Sequence, residues 1–301
     1  MFLAGRGGSR APDGWSDDFA AAQALAADTG RDLLLDFTGS DWCPPCIALS
    51  QEVFDTPVFR EKAPQHFVLV KVDFPKQTSQ SERVKIQNDQ LSRRYFVKSF
   101  PTVVLADAQG RPYATTTYRW GGPEVYLTHL KDLRAVRETR DRAFARARAA
   151  EGREKAKALD EALDAVGLTT AARHHLPEMQ AIVELDADNA AGLRGKYHTA
   201  LVAALMQADL EEATALIGSG RLQEGLARID QVIAEHRPEG ELLQMLTTIK
   251  AQVHLQRKDS VKARELLNEA AAIAPDSAIV PQIQAMIQRI GAQPALAGES
   301  E

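Results

Sequence analysis

The chain has 301 residues, of which 45% are hydrophobic and 26% are charged, and its formal net charge is −5. These values are typical of a globular protein of about two domains. The mild acidity argues against nucleic acid as a partner, because the sequence has no basic stretch with interleaved aromatic residues. No window approaches the roughly 20 apolar residues of a membrane span.

The first residues bear on the compartment. Residues 1–14 are predicted to be a flexible arm, because glycine, arginine, proline and serine dominate residues 5–14. Residues 1–5 are too short for the apolar region of a signal peptide. As it stands the sequence predicts a cytoplasmic protein, or a periplasmic or exported one if the chain is a mature or truncated form. Cysteine usage does not decide between these compartments, because a catalytic pair works in either one.

A helix and a buried strand are predicted next. Residues 15–18 open an alanine-rich helix, with Ser16 as the expected N-cap, and Gly30 ends it. Residues 33–37 form an apolar run of strand length, and residues 38–40 (Thr-Gly-Ser) have the composition of a turn.

The two cysteines of the chain, Cys43 and Cys46, follow this turn and enclose two prolines. Pro44 and Pro45 suit the first turn of a helix, where a missing N–H group costs little. Cys43 is therefore expected at a helix N-terminus, where unpaired N–H groups and the positive end of the helix dipole favour a thiolate. Cys46 lies one turn further on, within reach of a disulfide and less exposed. This is the layout of a redox dithiol.

Two other uses of the pair are less consistent with the sequence. A zinc or iron–sulfur site needs further soft ligands, and the seven histidines show no paired spacing beyond the adjacent His174 and His175. A purely structural disulfide between such close neighbours stabilises little through chain entropy. The pattern favours redox chemistry, with no metal and no cofactor other than the redox-active disulfide itself.

The strand, the Trp42-Cys43-Pro44-Pro45-Cys46 motif, the helix and the later Ser99-Phe100-Pro101-Thr102 segment resemble the thioredoxin family. Residues 36–43 and 52–59 resemble, more narrowly, bacterial thioredoxin-like proteins of the kind often made for export. The resemblance covers about residues 15–135. It implies an α/β thioredoxin fold, with a central mixed sheet flanked by helices, and thiol–disulfide exchange. The Pro-Pro dipeptide also occurs in tryparedoxin and nucleoredoxin and identifies no subfamily.

The dithiol chemistry assigns roles to the motif residues. Cys43 is expected to attack a substrate disulfide, and Cys46 to release the mixed disulfide that results. Trp42 is expected to cover the site as an apolar wall; the alternative is a core residue without substrate contact. Pro44, Pro45 and Phe100 complete the expected substrate-binding surface.

Pro101 stands between a predicted helix and a predicted strand. The resemblance implies a cis-proline that faces the dithiol and leaves backbone groups free to pair with a substrate peptide. The alternative is a trans-proline at the start of an edge strand, since cis bonds are a minority of X–Pro bonds.

Asp36 resembles the buried carboxylate that shuttles a proton to the inner thiol of thioredoxin, and a pKa raised by desolvation would suit that role. The alternative is an ordinary aspartate at a strand end. Lys71 is its candidate ionic partner. The segment from Asp36 to Cys43 is one residue longer than in thioredoxin, the offset of Lys71 along its strand differs, and the redox helix lacks the mid-helix proline.

The remaining elements of this region follow in chain order. Thr56 is expected to cap a short helix that begins at Pro57. Residues 74–90 are polar and look like an insertion relative to thioredoxin. The other predictions are a strand at 66–73, a helix at 88–96, a strand at 102–106, a turn at 107–110, a strand at 113–118 and a helix that begins at Pro123.

Beyond residue 137 charged, alanine-rich segments with helical spacing follow one another. Residues 220–226 and 258–267 repeat a pattern at a spacing of 38 (258 − 220), near the roughly 34-residue period of tetratricopeptide repeats. The sequence thus predicts a thioredoxin-like domain at 15–136, an all-α, tetratricopeptide-like domain at 137–291 and a disordered tail at 292–301.

Two classes of function compete. The first is a thiol–disulfide oxidoreductase that reduces disulfides in client proteins, with an upstream thiol electron donor and a helical domain that binds a client or partner protein. The second is a non-catalytic interaction scaffold built on a thioredoxin fold plus helical repeats. Peroxide reduction has no signature in the sequence. Both cysteines and Pro101 occur together, and this favours the enzyme.

Overall fold

The computed structural model describes residues 14–292, and the chain divides into two units, residues 1–175 and 176–301. Except for one residue each, the predicted arm (1–14) and tail (292–301) lie outside the described residues. The domain boundary predicted at residues 136 and 137 falls inside a continuous helix, Gly122–Ala149, and stays a prediction.

The first unit contains a four-stranded mixed sheet. The strands are β1 Asp32–Thr38, β2 Phe67–Asp73, β3 Thr102–Ala106 and β4 Pro112–Thr116. Their spatial order is β2-β1-β3-β4. β1 runs parallel to β2 and antiparallel to β3, and β3 runs antiparallel to β4. The predicted α/β thioredoxin fold is thereby confirmed.

Helices cover both faces of this sheet. They are α1 Phe19–Thr29, α2 Pro44–Leu49, α3 Pro57–Lys62, α4 Glu82–Arg94, α5 Gly122–Ala149, α6 Gly152–Val166 and α7 Leu168–His174. Because side chains alternate along a strand, Leu34 packs into the layer that contains residues of α2, α3 and α5, whereas Leu33 and Leu35 pack with residues of α1 and α4. All seven residues of β1 are buried, as expected for a strand covered on both faces.

Two helix ends lie where the local sequence signals predict them. The Thr56 hydroxyl accepts the N–H of Phe59 at 3.3 Å and caps α3, with Pro57 at its first position. Gly30 ends α1 in the left-handed conformation, at φ +67°. Both predictions are confirmed.

The predicted N-cap of α1 is wrong. Asp18, not Ser16, caps this helix, and its carboxylate accepts the N–H of Ala21 at 3.0 Å. Ser16 pairs instead with the edge of β2, where its N–H donates to Leu69 at 2.9 Å and its carbonyl accepts from Lys71 at 2.9 Å. A residue with both backbone groups bonded to a strand is not available to begin a helix.

Two element boundaries differ from the prediction. α4 begins at Glu82 rather than at residue 88, because the Ser81 hydroxyl caps it by accepting from Val84 at 3.4 Å. The polar insertion is therefore a short loop, residues 74–81, followed by a helix. β4 ends at Thr116 rather than at residue 118.

The second unit is helical over its described residues. Its helices are α8 Leu176–Leu185, α9 Leu193–Gly218, α10 Leu222–His236, α11 Gly240–Gln256, α12 Ser260–Ile273 and α13 Val280–Ala292. α9 packs on α10 and α11 packs on α12, so the repeated sequence segments begin just before or at the second helix of each pair. The predicted all-α character is confirmed, and a tetratricopeptide array stays a prediction. Within residues 14–292, every helix is too short or too polar to cross a membrane.

Candidate active site

Four loops meet at one edge of the sheet. Thr38 at the end of β1 pairs with Asp73 at the end of β2, and Phe37 pairs with Thr102 at the start of β3. β4 ends at this edge as well, because Thr116 pairs with Val103. The loops at this edge are residues 39–43, 74–81, 95–101 and 117–121. Strand register thus brings together segments that lie far apart in the sequence.

Cys43 and Cys46 form a disulfide, with their Cα atoms 5.3 Å apart. Cys43 is the N-cap residue of α2, and its carbonyl accepts the N–H groups of Cys46 and Ile47, both at 3.0 Å. Pro44 and Pro45 occupy the first two helical positions and are exposed. In this oxidised state Cys43 is 4% exposed and Cys46 is 3% exposed, so burial does not distinguish the two.

The Trp42 indole is half-buried and held from several sides. Its Nε1–H donates to the carbonyl of Phe74 at 2.7 Å. The ammonium of Lys76 lies 3.9 Å from the ring centroid, in cation–π contact. The Phe100 ring meets it edge-to-face at 6.0 Å between centroids. Trp42 therefore contacts Phe100, as a shared surface requires, and its role in substrate binding stays a prediction.

Gly39 makes room for this indole. A Cβ atom at position 39 would lie 2.6 Å from Cε2 of Trp42 and 2.7 Å from its Nε1, a separation that real Cβ atoms do not show. The need for glycine here is one of space, since the ring occupies the volume of any side chain at this turn.

Asp41 binds the loop at 74–81, a feature that the sequence reasoning missed. Its carboxylate accepts the backbone N–H groups of Lys76, Gln77 and Thr78 at 2.9, 2.7 and 2.9 Å. The hydrogen bond from Lys76 first, and those from Gln77 and Thr78, hold the pKa of Asp41 below its usual value. An acid before Trp42 and a polar insertion were both visible in the sequence, but nothing there paired them.

Ser40 binds the end of β2. Its backbone N–H and its hydroxyl donate to the two carboxylate oxygens of Asp73 at 3.0 and 2.5 Å. The side chain of Asn88 on α4 donates in turn to the carbonyl of Asp73 at 2.8 Å. The turn before the dithiol is thereby tied to β2 and α4.

Phe100 and Pro101 lie on the loop before β3. The peptide bond between them is cis. Phe100 stacks on Phe74 at 5.2 Å between ring centroids and contacts Trp42 on another side. Pro101 is buried, and its carbonyl accepts a hydrogen bond from the hydroxyl of Thr117 at 2.8 Å. Phe74, which the sequence reasoning did not single out, thus adds a second link between Trp42 and Phe100.

Asp36 lies behind the dithiol. It is 4% exposed, and one of its carboxylate oxygens has no hydrogen-bond partner among the described residues. Burial raises the pKa of Asp36 to about 7. The positive charge of Lys71 opposes this shift, whereas the negative charge of Asp73 adds to it. Lys71 is its register partner on β2, so their side chains leave the same face of the sheet. Although the position of Lys71 along its strand differs from that in thioredoxin, Asp36 and Lys71 still lie side by side.

A small cavity joins Asp36 to the inner cysteine. Its volume is about 170 Å³, and Asp36, Cys46 and Lys71 all contribute to its wall. Ser50, at the start of the π-helical turn Ser50–Phe54 that continues α2, also lines it. The space is large enough for water, which can carry a proton between polar groups.

A second group of candidate ligands lies in the helical unit. Asp209, Glu235 and His236 place one ligand atom each within 4.8 Å of one another. Asp209 is already bonded to His236 at 2.9 Å and paired with Arg228 at 2.5 Å. These contacts are those of an ion-pair cluster between α9 and α10.

Comparison with known proteins identifies the domain that contains Cys43 and Cys46. The family model described as a thioredoxin-like domain matches residues 19–122. The disulfide bond reductase DsbH of Chlamydia pneumoniae is 31% identical over 121 residues, which are 40% of this chain and 73% of that protein. The thioredoxin-related protein DsbJ of the same organism is 30% identical over 97 residues, 32% of this chain but only 28% of that protein.

Two solved structures are similar to part of the chain. A DsbH oxidoreductase is 29% identical over 44% of this chain and 94% of that one, with a TM-score of 0.38. A thioredoxin from Thermus thermophilus is 27% identical over 39% of this chain and 82% of that one, with a TM-score of 0.25.

The fold and the Cys43–Cys46 pair at the tip of α2 define a thiol–disulfide oxidoreductase of thioredoxin fold. DsbH, to which this chain is 31% identical over 73% of that protein's length, belongs to the same class. The chain belongs to the thioredoxin-like family.

Proposed function

We propose that the protein reduces disulfide bonds in client proteins through Cys43 and Cys46. The observation that carries the proposal is a cysteine pair at the N-terminus of α2, where it can cycle between dithiol and disulfide. The likeness to a protein described as a disulfide bond reductase supports the reductive direction. Such a pair works in oxidising and reducing compartments alike, so the proposal does not depend on where the protein resides.

The exchange proceeds in two balanced steps. The Cys43 thiolate attacks one sulfur of the client disulfide; a Cys43–client bond forms, the client bond breaks and the departing client sulfur takes up a proton. The Cys46 thiolate then attacks the Cys43 sulfur, which forms the Cys43–Cys46 disulfide and releases the second client thiol. The client gains two electrons, and an upstream thiol donor must supply two electrons to the oxidised pair.

Asp36 is proposed to move the proton of Cys46. The second step needs Cys46 as a thiolate, and Asp36 shares a cavity with this residue. A carboxyl group with a pKa of about 7 both accepts and donates protons near neutral pH. Lys71 is the neighbouring cation that stabilises the ionised carboxylate.

The surface of the site is proposed to bind the client chain. Trp42, Phe100 and Pro101 form a connected apolar wall through the aromatic contacts and the loop described above. Pro44 and Pro45 are exposed beside the disulfide. Extended client segments that carry a cysteine are the ligands that fit such a surface next to a reactive sulfur.

The decisive experiment substitutes each cysteine in the full chain. Cys43→Ser is expected to abolish reduction of insulin disulfides, whereas Cys46→Ser is expected to accumulate mixed disulfides, because the release step is lost. Circular dichroism of both variants checks that each keeps the wild-type fold. If neither thiol reacts and partner capture survives both substitutions, the scaffold function replaces the enzyme.

The redox potential tests the direction. Equilibration with glutathione measures the Cys43–Cys46 couple, and a value near the roughly −270 mV of thioredoxin supports a reductase. A markedly more oxidising value would assign the protein to disulfide formation or isomerisation.

Single-turnover kinetics test the role of Asp36. In Asp36→Asn the release step is expected to slow by about tenfold or more and to lose its pH dependence around 7. Asp89→Asn changes an exposed carboxylate on α4 and serves as the control. An unaltered rate and pH profile in Asp36→Asn would leave Asp36 as a structural residue.

We also propose that the helical unit binds the client or a partner protein. Leu205, Met245 and Val261 are apolar residues of this unit that are 45%, 37% and 75% exposed. If this surface contacts a client, Val261→Asp raises KM for a folded protein substrate and leaves KM for a short peptide disulfide unchanged. Equal KM values in the variant and the parent for both substrates would contradict the proposal.

A further inference from the structure

We propose that Lys76 is a specificity-determining residue, whose ammonium group above Trp42 favours client disulfides flanked by an acidic residue. The inference rests on the proposed disulfide exchange and narrows its substrates. It assigns to the loop at 74–81 a part in choosing the client.

The position of Lys76 is the first observation. Its Nζ lies 3.9 Å from the centroid of the Trp42 ring, and Trp42 directly precedes Cys43. Lys76 is exposed, so a client chain that reaches Cys43 passes close to this charge. An acidic side chain next to the client cysteine can therefore pair with it.

The backbone under Lys76 is held in place. The Asp41 carboxylate accepts the N–H of Lys76 and those of the next two residues. The Phe74 carbonyl, two positions before Lys76, accepts the Trp42 indole N–H. A charge on a loop anchored at two points needs little ordering when a client binds, and this favours selectivity.

The charge of Lys76 is also available. Among residues 14–292 it forms no ion pair with a carboxylate. The carboxylates at this edge of the sheet already accept hydrogen bonds from the protein: Asp41 from the loop N–H groups, Asp73 from Ser40 and Glu52 from the Tyr118 hydroxyl. Their oxygens are directed at these donors, whereas the ammonium of Lys76 is directed at the half-buried indole.

Two more cations lie on the other loops of the same edge. Lys98 lies two residues before Phe100. Arg119 lies two residues after Thr117, whose hydroxyl donates to the Pro101 carbonyl. Both are exposed, and within the described part of the chain neither pairs with a carboxylate. Lys76, Lys98 and Arg119 thus place one exposed positive charge on each of three loops around the site, in a chain whose net charge is −5. Charges so placed favour partners of the opposite charge and speed their approach.

Three disulfide-bridged peptides test the inference. They are identical except for aspartate, asparagine or lysine beside the attacked cysteine. For the wild-type chain we expect kcat/KM to be about fivefold higher for the aspartate peptide than for the asparagine peptide. Lys76→Gln should bring this ratio close to one, Lys76→Glu should invert it, and Lys76→Arg should retain it.

Lys62→Gln is the matched control. It removes one exposed positive charge at the end of α3, near the sheet edge where β2 begins, and should keep the preference. Raising the salt concentration from 50 to 500 mM should shrink the wild-type preference, because the pair is exposed to solvent.

Three results would overturn the inference. These are no preference in the wild-type chain, an unchanged preference in Lys76→Gln, and an equal loss on all three peptides, which would mean that Lys76 only positions Trp42. In each case the wild-type chain still reduces the peptides, so the proposed disulfide exchange stands. A wild-type chain that reduces none of the peptides would instead refute the proposed function itself.

Discussion

The carboxylate of Asp41 accepts the backbone N–H of Gln77 at 2.7 Å, across 36 positions of the sequence. The same carboxylate holds the N–H groups on either side of Gln77. The loop so held presents the Phe74 carbonyl and the Lys76 ammonium to Trp42. The residue before the tryptophan thus positions it indirectly, through a distant loop rather than through a contact of its own side chain.

Asp41→Ala is therefore expected to free the loop and the indole together. Backbone amides 76–78 should lose protection from hydrogen exchange, because their acceptor is gone, and tryptophan emission should shift to the red. In Asp41→Asn, which keeps one carbonyl oxygen, protection of these amides should lie between that of the wild type and that of Asp41→Ala.

The pH dependence of the wild type tests the same contact. Since hydrogen bonds lower the pKa of Asp41, the ionised carboxylate holds the loop above the ordinary value of 3.8 and releases it only as pH falls through the lower folded pKa. Protection should thus be equal at pH 5 and pH 7.

Asp28→Ala on α1 provides the comparison for this experiment, since Asp28 is exposed and forms none of the hydrogen bonds between Asp41 and the loop. Unchanged protection at residues 76–78 in Asp41→Ala would mean that other contacts order the loop.

Asp36→Asn is expected to stabilise the oxidised protein at neutral pH. Burial raises the folded pKa of Asp36 from 3.8 to about 7, so the unfolded chain loses its proton first and wild-type stability falls as pH rises from 4 to 7. Integrated over this window the cost is about 4 kcal/mol. The advantage of Asp36→Asn should be small at pH 4, grow toward pH 7 and stay constant above it.

Urea unfolding followed by tryptophan fluorescence measures this difference. All three tryptophans, Trp15, Trp42 and Trp120, lie in the first unit, so the signal reports on the unit that contains Asp36. A pH-independent difference between wild type and Asp36→Asn would show that the carboxyl group titrates normally. Asp89→Asn should show no such growth with pH.

Gly39→Ala is expected to displace the Trp42 ring. The new methyl group would lie 2.6 Å from the indole, and overpacking of this kind costs about 1–3 kcal/mol. The hydrogen bond from the indole to Phe74 should be lost with the shift. Urea unfolding measures the cost.

A second substitution separates crowding from backbone effects. In a Trp42→Phe background the smaller ring leaves space, so Gly39→Ala should cost less than in the wild type. Equal costs in both backgrounds would place the effect in the backbone of the turn rather than in contact with the ring.

Gly225→Ala tests the packing of α9 on α10 in the helical unit. A Cβ at this position would lie 2.5 Å from Ile217 and 3.3 Å from the carbonyl of Ala213, both on α9. Amides of the two helices should exchange faster in Gly225→Ala. Gly218→Ala is the matched control, because nothing lies within 4 Å of its Cβ position and alanine favours helix. Equal exchange in the two variants would contradict the close approach of these helices.

Much of the first unit could be predicted because its signals are local. Pro44 and Pro45 suit a first helical turn, and Thr56 with Pro57 marks the next helix. The helix at residues 82–94 was predicted to begin six residues too late, since the polar residues before 88 resemble a loop and only the Ser81 cap reveals its start.

The charged stretch after residue 130 shows what could not be predicted. Arg134 binds the buried carboxylate of Asp32 at 2.9 Å, and Arg137 pairs with the same carboxylate. Arg140 is fully buried and binds Asp107 at 2.9 Å. In the sequence these arginines look like a solvated helix face. Their partners, at the start of β1 and after β3, are set by how α5 crosses the sheet.

The sequence by itself determined the reactive pair, the strand and helix that carry it and the family, because cysteine spacing, prolines and apolar runs act over a few residues. Only the tertiary structure decided that Asp41 holds the loop beside Trp42, that Asp36 and Lys71 lie side by side near Cys46, and that Lys76 lies over the indole. Those relations depend on the register of the strands and on hydrogen bonds between distant segments. Neither follows from local preference, because a loop can place the same residues in many ways until the sheet brings its ends together.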